Sequence, residues 1–241
     1  MFNRENHIAM MRRQAPLWSE EEIQKDADFM EEKHSHIKYG NNVVHLNYSK
    51  QLIPEETFKE IENRLKRIQY ELSSYESSGI LNSSFDAFQS QVVLALSSMT
   101  VEMIIQGVAT NAIWDGIKTT ANFIWSKVND ATYTTWESGG TITEKRASFS
   151  LKMQLDENTT LDFNMNDIEE GEAERCLDKV LEFAKQAKRN ATPRSDEIIL
   201  YNKETNEWEK VIFTPELLRK PSDRIIRKLS LEDYKKEKGI K

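Results

Sequence analysis

The chain has 241 residues, of which 30% are charged, and 40 acidic residues against 33 basic ones give a formal net charge of −7. A general nucleic-acid-binding surface is not expected, because contact with phosphates requires a concentrated basic face. The single cysteine excludes an intramolecular disulfide and is typical of a reducing cytosol. The first residues include Arg4, Glu5, Arg12 and Arg13 without an apolar core of signal-peptide length, which predicts a cytoplasmic protein.

The N-terminal segment is predicted to be an arm followed by a surface helix. Residues 1–18 show no sustained apolar periodicity. Ser19 and Glu22 then have the spacing of a capping box, which predicts a helix start. Acidic residues dominate this helix and its apolar stripe is thin, so it should lie on the surface. Residues 43–48 alternate between apolar and polar side chains and indicate a short strand.

Two apolar repeats predict a long antiparallel helical hairpin, formed by residues 54–78 and 83–128 within a helical region spanning 19–128. The apolar side chains of the first arm recur at alternating steps of three and four: Phe58, Ile61, Leu65, Ile68, Leu72 and Tyr75. The same steps relate the side chains of the second arm: Phe85, Phe88, Val92, Ala95 and Met99. Each repeat is typical of a helical packing seam.

The second arm also suggests an alternative, a membrane-inserting segment, because residues 87–101 carry no charge. Glu102, Asp115 and Lys118 oppose this interpretation, since each charge at the centre of a spanning helix costs roughly 2.5–3.5 kcal/mol. A clean apolar run of about 20 residues, the length that spanning requires, is absent from the sequence. Membrane contact is therefore the disfavoured alternative to a partner-facing helix.

Small residues on the second arm predict a close contact with a partner. Gly107, Ala112 and Gly116 lie among large apolar residues. Each Gly weakens a helix by about 1 kcal/mol relative to Ala, so close packing must compensate. Trp136 lies in a segment rich in Ser, Thr and Gly, and an exposed Trp often anchors an interface. These four residues are the predicted interaction surface for a protein partner or a second copy of the chain.

The C-terminal half is predicted to form a small α+β module with two β-hairpins. Alternating side chains at 149–155 and 161–165 indicate the first hairpin, and 169–189 has helical spacing. A second hairpin is predicted at 198–213, which gives the order ββαββ. The predicted boundaries are a linker at 129–146, the module at 147–215 and a basic, charged tail at 216–241.

Three histidines form the arrangement that most resembles a metal site. His34 and His36 would point to the same side of an extended chain, and His45 on a neighbouring strand would complete three nitrogen ligands for zinc. A fourth position would be left for water, as in a metal-dependent hydrolase. The alternative is structural, because a cation near the end of an acidic helix is favoured by the helix dipole without a metal.

Other catalytic patterns are weak. Cys176 lies among apolar residues of a predicted helix and is interpreted as a core thiol. The sequence has no Walker loop, dinucleotide-binding glycine pattern, HExxH, CxxC or GxSxG motif. No cofactor is therefore expected, and a non-enzymatic role is favoured.

The order of elements over residues 105–189 resembles the small effector-associated accessory components of bacterial conflict systems, including antiphage systems. The resemblance consists of a Gly-containing apolar helix (Gly107, Gly116), an alternating hairpin at 149–165 and an amphipathic helix at 173–184. It implies a protein that regulates or couples an effector through protein contacts, sometimes at a membrane.

The sequence therefore predicts a non-enzymatic interaction or regulatory component. The reason is that the predicted helices expose more apolar surface than a two-helix hairpin can bury on itself. Two alternatives are kept, a membrane-active effector with a sheltered amphipathic helix and a metal-dependent hydrolase.

Overall fold

A computed structural model describes residues 3–77, 91–107, 111–136, 141–166, 168–169, 171–189, 195–211, 225–230, 233 and 236–237. The helices are α1 (Arg4–Gln14), α2 (Glu20–Ser35), α3 (Glu55–Arg67), α4 (Ser98–Ile105), α5 (Asn111–Val128) and α6 (Ala173–Arg189). The strands are β1 (Val43–Tyr48), β2 (Glu71–Glu76), β3 (Gln91–Leu96), β4 (Thr132–Trp136), β5 (Thr141–Arg146), β6 (Ser148–Gln154), β7 (Thr159–Asn164), β8 (Ser195–Asn202), β9 (Glu207–Lys210) and β10 (Ile225–Ser230).

A seven-stranded mixed sheet forms the centre of the protein, with the strand order β2-β1-β3-β6-β7-β8-β9. The pairs β1–β2, β3–β6 and β7–β8 are parallel, and the pairs between them are antiparallel. A second, antiparallel sheet has the order β10-β5-β4. Helices and strands are thus combined in one chain, and the predicted α+β class is confirmed.

One face of the large sheet is apolar and is covered by helices α3 to α6. Its central side chains are buried: Val44, Leu46, Leu94, Leu151, Phe163 and Ile199. The opposite face is more polar. Lys152 pairs with Asp162 across the β6–β7 ladder at 3.2 Å, and Gln91 donates a hydrogen bond to Ser150 at 2.9 Å. The two faces explain the alternation seen in these strands.

The prediction that residues 54–78 form one helix is wrong beyond Arg67. Helix α3 ends there, and Gln69 adopts a positive φ of 60°, which turns the chain into β2. Leu72 and Tyr75, assigned to one helical seam, lie on opposite faces of β2. Parallel pairing of β2 with β1 supplies hydrogen bonds that the spacing of apolar residues cannot reveal.

The second arm is also wrong as a continuous helix. Residues 91–96 form β3, which lies between β1 and β6, and separate helices follow at α4 and α5. Val92 and Ala95, predicted on one helical stripe, point to opposite faces of the strand. A short apolar run buried in a central strand has no distinctive period, so sequence spacing alone cannot separate it from a buried helix. The predicted turn between the arms lies outside the described residues.

The C-terminal strands do not stand apart as a module. Strands β6, β7, β8 and β9 continue the sheet that β1 to β3 begin, through the parallel pairing of β3 with β6. The predicted linker 129–146 contains β4 and β5, and the predicted tail contains β10, which pairs with β5. Thr-rich strands of this kind resemble loops in composition but are stabilised by cross-strand pairing.

The N-terminal segment forms a two-helix unit, the α1–α2 hairpin, where the sequence predicted an arm before the surface helix. Its apolar core is small, consisting of Ile8, Ile23 and Ala27 with Met11 packed against them. Two arginines of α1 neutralise part of the charge of acidic α2, through Arg4–Asp28 at 2.5 Å and Arg12–Glu20 at 2.6 Å. His7 Nε2 also lies 2.7 Å from Asp26 Oδ2. The capping box of Ser19 and Glu22 is confirmed.

None of the helices within the described ranges combines the length and apolar character needed to cross a membrane. Cys176 is fully buried in α6, as its apolar neighbours predicted. Burial raises the pKa of its thiol to about 11, which favours the protonated, less nucleophilic form.

Candidate ligand cleft between α2 and α3

A cleft lies where the parallel strands β1 and β2 end. Tyr48 and Glu76 are the last residues of these strands and are register partners. Helix α3 connects the two strands, so its first turn lies next to the end of β1. The carboxyl ends of parallel strands are a common place for ligand sites, because side chains and helix N-termini converge there.

The cleft has a volume of about 410 Å³ and is bounded by α2, α3, β1 and β2. Its lining combines aromatic rings, carboxylates and basic groups: Phe29, Glu32, Lys33, His36, Tyr48, Lys50, Glu55, Phe58, Ser74 and Glu76. This volume suits a small molecule rather than a folded partner.

Tyr48 forms the floor of the cleft. Its side chain stacks on Phe58 with ring centroids 5.3 Å apart, and the residue is only 7% exposed. Within the described part of the chain, its hydroxyl makes no hydrogen bond. Burial, with the nearby charges of Glu76 and Glu55, raises its pKa to about 12. At neutral pH the hydroxyl is therefore a protonated donor that faces the cleft.

An ion pair holds α2 against the edge of the sheet. Lys33 contacts the Glu76 carboxylate, and their side chains are 12% and 15% exposed. The Lys33 ammonium also lies 5.0 Å from the centroid of the Phe29 ring. Ser74 N–H donates to His36 O at 3.3 Å, so α2 also occupies a hydrogen-bonding position of the edge strand. These contacts fix the α2 wall of the cleft relative to its floor.

The first turn of α3 forms the opposite wall. Pro54 is its N-cap and provides no side-chain cap, and the helical hydrogen bonds begin with Phe58 N–H to Pro54 O at 2.9 Å. The preceding amide groups of the first turn therefore remain available to an acceptor. Such amide groups and the helix dipole favour a negatively charged ligand group.

The structure does not bring the three predicted metal-ligating histidines together into a metal site. His34 Nδ1 lies 2.7 Å from Met30 O, and its ring packs edge-on against Tyr75. His36 caps α2 and lines the cleft. His45 lies in β1 beside Ser73 of β2, where burial lowers its pKa. Among the residues that the structure describes, no cluster of three or more His, Cys, Asp or Glu could hold a metal ion.

The predicted interaction residues lie in different settings. A Cβ on Gly116 would lie 2.4 Å from Ile68 Cγ2, so this glycine accommodates a contact between α3 and α5 of the same chain. Gly107 has a φ of +70° after α4, and Ala112 is exposed in the first turn of α5. Trp136 ends β4, and its side chain lies outside the described residues.

A separate apolar surface lies at the turn of the α1–α2 hairpin. Leu17 is 96% exposed, Trp18 is 45% exposed and Met10 is 40% exposed. We call these three side chains the hairpin tip. The sequence does not indicate this surface, because residues 1–18 show no sustained apolar periodicity. The cleft was missed because β2 was assigned to a helix, although Pro54 after strand β1 was a usable local signal.

Comparison with known proteins gives no relative for this chain: no family model, curated protein or solved structure matches it. The mixed α/β fold and the two surfaces described above therefore carry the functional argument.

The raised pKa of Tyr48 gives a testable pH dependence. Because the ordinary pKa is 10.0 and the folded value is about 12, Tyr48 stabilises the fold fully below pH 10 and loses this contribution as the pH rises through 12. Tyr48→Phe should therefore reduce the alkaline loss of stability by about 1–2 kcal/mol. Urea unfolding between pH 8 and 11.5 measures this.

Proposed function

We propose that this protein is a non-enzymatic, cytoplasmic interaction component that uses the hairpin tip to bind a protein partner. The observation that carries the proposal is the exposure of Leu17 and Trp18, which are adjacent in the turn of the hairpin, together with the exposure of Met10 on α1. Exposed Trp beside aliphatic side chains is typical of residues that dominate the energy of protein interfaces. Burial of a fully exposed Leu contributes about 1.5–3 kcal/mol, which is at least tenfold in affinity.

The construction of the hairpin supports this role. Its two helices share a core of three buried residues, and salt bridges at the surface add little stability. The apolar side chains of the tip contribute no burial to that core, so they are available to a partner. The contacts of Lys33 and His36 with β2 hold the other end of α2 against the sheet. The tip is thus presented at the far end of an anchored helix.

Charge favours a protein partner over a lipid surface. Acidic residues outnumber basic ones in the α1–α2 hairpin, although Glu20 and Glu21 near the tip are paired with Arg12 and Lys25. The net negative charge of the hairpin would be repelled by an anionic membrane surface. A protein with an apolar pocket and a basic rim would complement both the tip and the acids.

Photo-crosslinking in cells can test the proposal. A photoreactive residue replacing Leu17 should form a crosslink to one defined protein, because Leu17 is the most exposed member of the tip. The purified partner should then bind the Leu17→Ser/Trp18→Ser variant at least tenfold more weakly than the wild type, measured by calorimetry. Leu200→Ser, at an apolar residue that is 42% exposed on the sheet, is the matched control and should bind normally.

Three results would contradict the proposal. The first is that the tip variant binds the identified partner as tightly as the wild type does. The second is a crosslink between two copies of this chain, with a homo-oligomer seen by light scattering. Binding to anionic vesicles that depends on Leu17 and Trp18 would assign the tip to a membrane.

The two alternative functions have less support in the described residues. The segment suspected of membrane insertion contributes β3 and α4 to the core, where Val92, Leu94 and Val101 are fully buried. The histidines suspected of binding zinc have separate hydrogen-bonding and packing roles. The interaction role therefore remains the proposal that the exposed surface supports best.

A further inference from the structure

We propose that the cleft between α2 and α3 binds a small zwitterion, a molecule with a free carboxylate and a free ammonium group, such as an α-amino acid or a short peptide. The cleft is separate from the hairpin tip and requires no part of the interaction role proposed above. The inference comes from three groups of side chains and amides that converge on one volume of about 410 Å³.

Hydrogen-bond donors on one side of the cleft require an acceptor. The first turn of α3 has no side-chain cap, and the Tyr48 hydroxyl has no acceptor among the residues that the structure describes. Tyr48 is more than nine-tenths buried, so its hydroxyl can reach only what enters the cleft. A ligand carboxylate would supply that acceptor. Lys50, next to this wall, adds positive charge.

A carboxylate on the facing wall requires a cation. Glu32 on α2 lines the cleft there. Glu55 lies on the donor side, at the start of α3, and pairs with Lys59 at 3.3 Å. Both Glu55 and Glu76 act on Tyr48 as negative charges. The potential in the cleft is therefore of mixed sign. A simple anion would face Glu32 and Glu55, and a simple cation would face Lys50 and the α3 amides.

A zwitterion satisfies both sets of groups. Its carboxylate accepts hydrogen bonds from the α3 amides and from Tyr48, and its ammonium group donates to Glu32. The rings of Phe29 and Phe58 provide apolar walls for the remainder of the molecule. Because Lys33 and Glu76 neutralise each other in a contact that is mostly buried, they position the walls rather than select the ligand.

The first experiment is a thermal-shift screen of the full chain with the twenty L-amino acids, glycylglycine and trialanine. We expect at least one compound to raise the Tm, because a ligand that binds only the folded state stabilises it. Free amino acids and peptides are separate arms of the screen and thereby distinguish the two sources of the zwitterion. If no compound raises the Tm or gives a calorimetric signal at millimolar concentration, the proposal is wrong.

The best compound is then compared with its N-acetyl and carboxamide derivatives by isothermal titration calorimetry. Each derivative removes one charge, so each should bind at least tenfold more weakly. Equal binding of the N-acetyl derivative would overturn the zwitterion in favour of a simple anion, and equal binding of the carboxamide would overturn it in favour of a simple cation.

Two substitutions locate the site. Tyr48→Phe keeps the ring that stacks on Phe58 but removes the donor, and should weaken binding about tenfold. Tyr70→Phe, at another buried tyrosine, is its control and should bind normally. Glu32→Gln should weaken binding of the free compound but not of the N-acetyl derivative. Unchanged binding in both Tyr48→Phe and Glu32→Gln would place the ligand elsewhere and refute the assignment to the cleft.

Discussion

Leu94→Ala should lower the free energy of unfolding by about 3 kcal/mol, because it empties a fully buried position at the centre of the large sheet. Leu94 lies between Leu46 of β1 and Leu151 of β6, on the face that the helices cover. The loss combines the transfer of the side chain with the cavity that remains, and neighbours on two strands restrict the collapse of that cavity. Urea unfolding followed by circular dichroism measures the change.

Met99→Ala is the comparison that makes this result decisive. Met99 is 49% exposed in α4, so its truncation should change stability by no more than about 0.5 kcal/mol. A continuous helix through this region would give the opposite order, because Met99 would then share the buried stripe with Val92 while Leu94 lay off it. A larger loss for Met99→Ala than for Leu94→Ala would contradict the assignment of residues 91–96 to a strand.

Gly116→Ala should destabilise the protein by up to about 2 kcal/mol. Alanine is intrinsically better than glycine in a helix by about 1 kcal/mol, but the new Cβ would overlap Ile68, 2.4 Å from Cγ2 and 3.1 Å from Cδ1. Overpacking of this kind typically costs about 1–3 kcal/mol, and this cost offsets the gain in helix propensity. Chemical unfolding of Gly116→Ala, of Ile68→Ala and of the double variant gives the coupling free energy between the two positions.

Ile68→Ala should reverse the sign of the effect. In that background the space above Gly116 is open, so Gly116→Ala should stabilise the protein by up to about 1 kcal/mol. Gly171→Ala, where a Cβ meets nothing within 4 Å, controls for the general effect of removing a glycine and should be close to neutral. If Gly116→Ala has the same effect with and without Ile68, the contact of α3 with α5 does not determine the choice of glycine.

These packing predictions bear on ligand binding because α3 forms one wall of the cleft. Ile68 follows the last turn of α3 and rests on Gly116, while the first turn of the same helix faces the ligand volume. A shift of α3 relative to α5 would therefore move the α3 amides relative to Tyr48. Stability and ligand affinity should change together in Gly116→Ala, whereas Tyr48→Phe should affect mainly affinity at neutral pH.

Local interactions were readable from the sequence alone. The capping box of Ser19 and Glu22 involves groups within four residues of each other, so its pattern is sufficient. Strand β1 alternates, and its predicted limits, Val43–Tyr48, agree with the structure. The burial of Cys176 followed from the apolar face of its own helix.

The tertiary structure decided the elements and sites that depend on distant residues. Strands β2 and β3 form because each pairs with β1, and their apolar spacing was equally compatible with a helix. Position 116 holds a glycine because the side chain of Ile68, far away in the sequence, packs directly against it. The cleft exists because parallel pairing brings the end of β1 beside the end of β2, and no single segment contains both. Sequence spacing records local geometry, whereas pairing and close approach are set by contacts between remote segments.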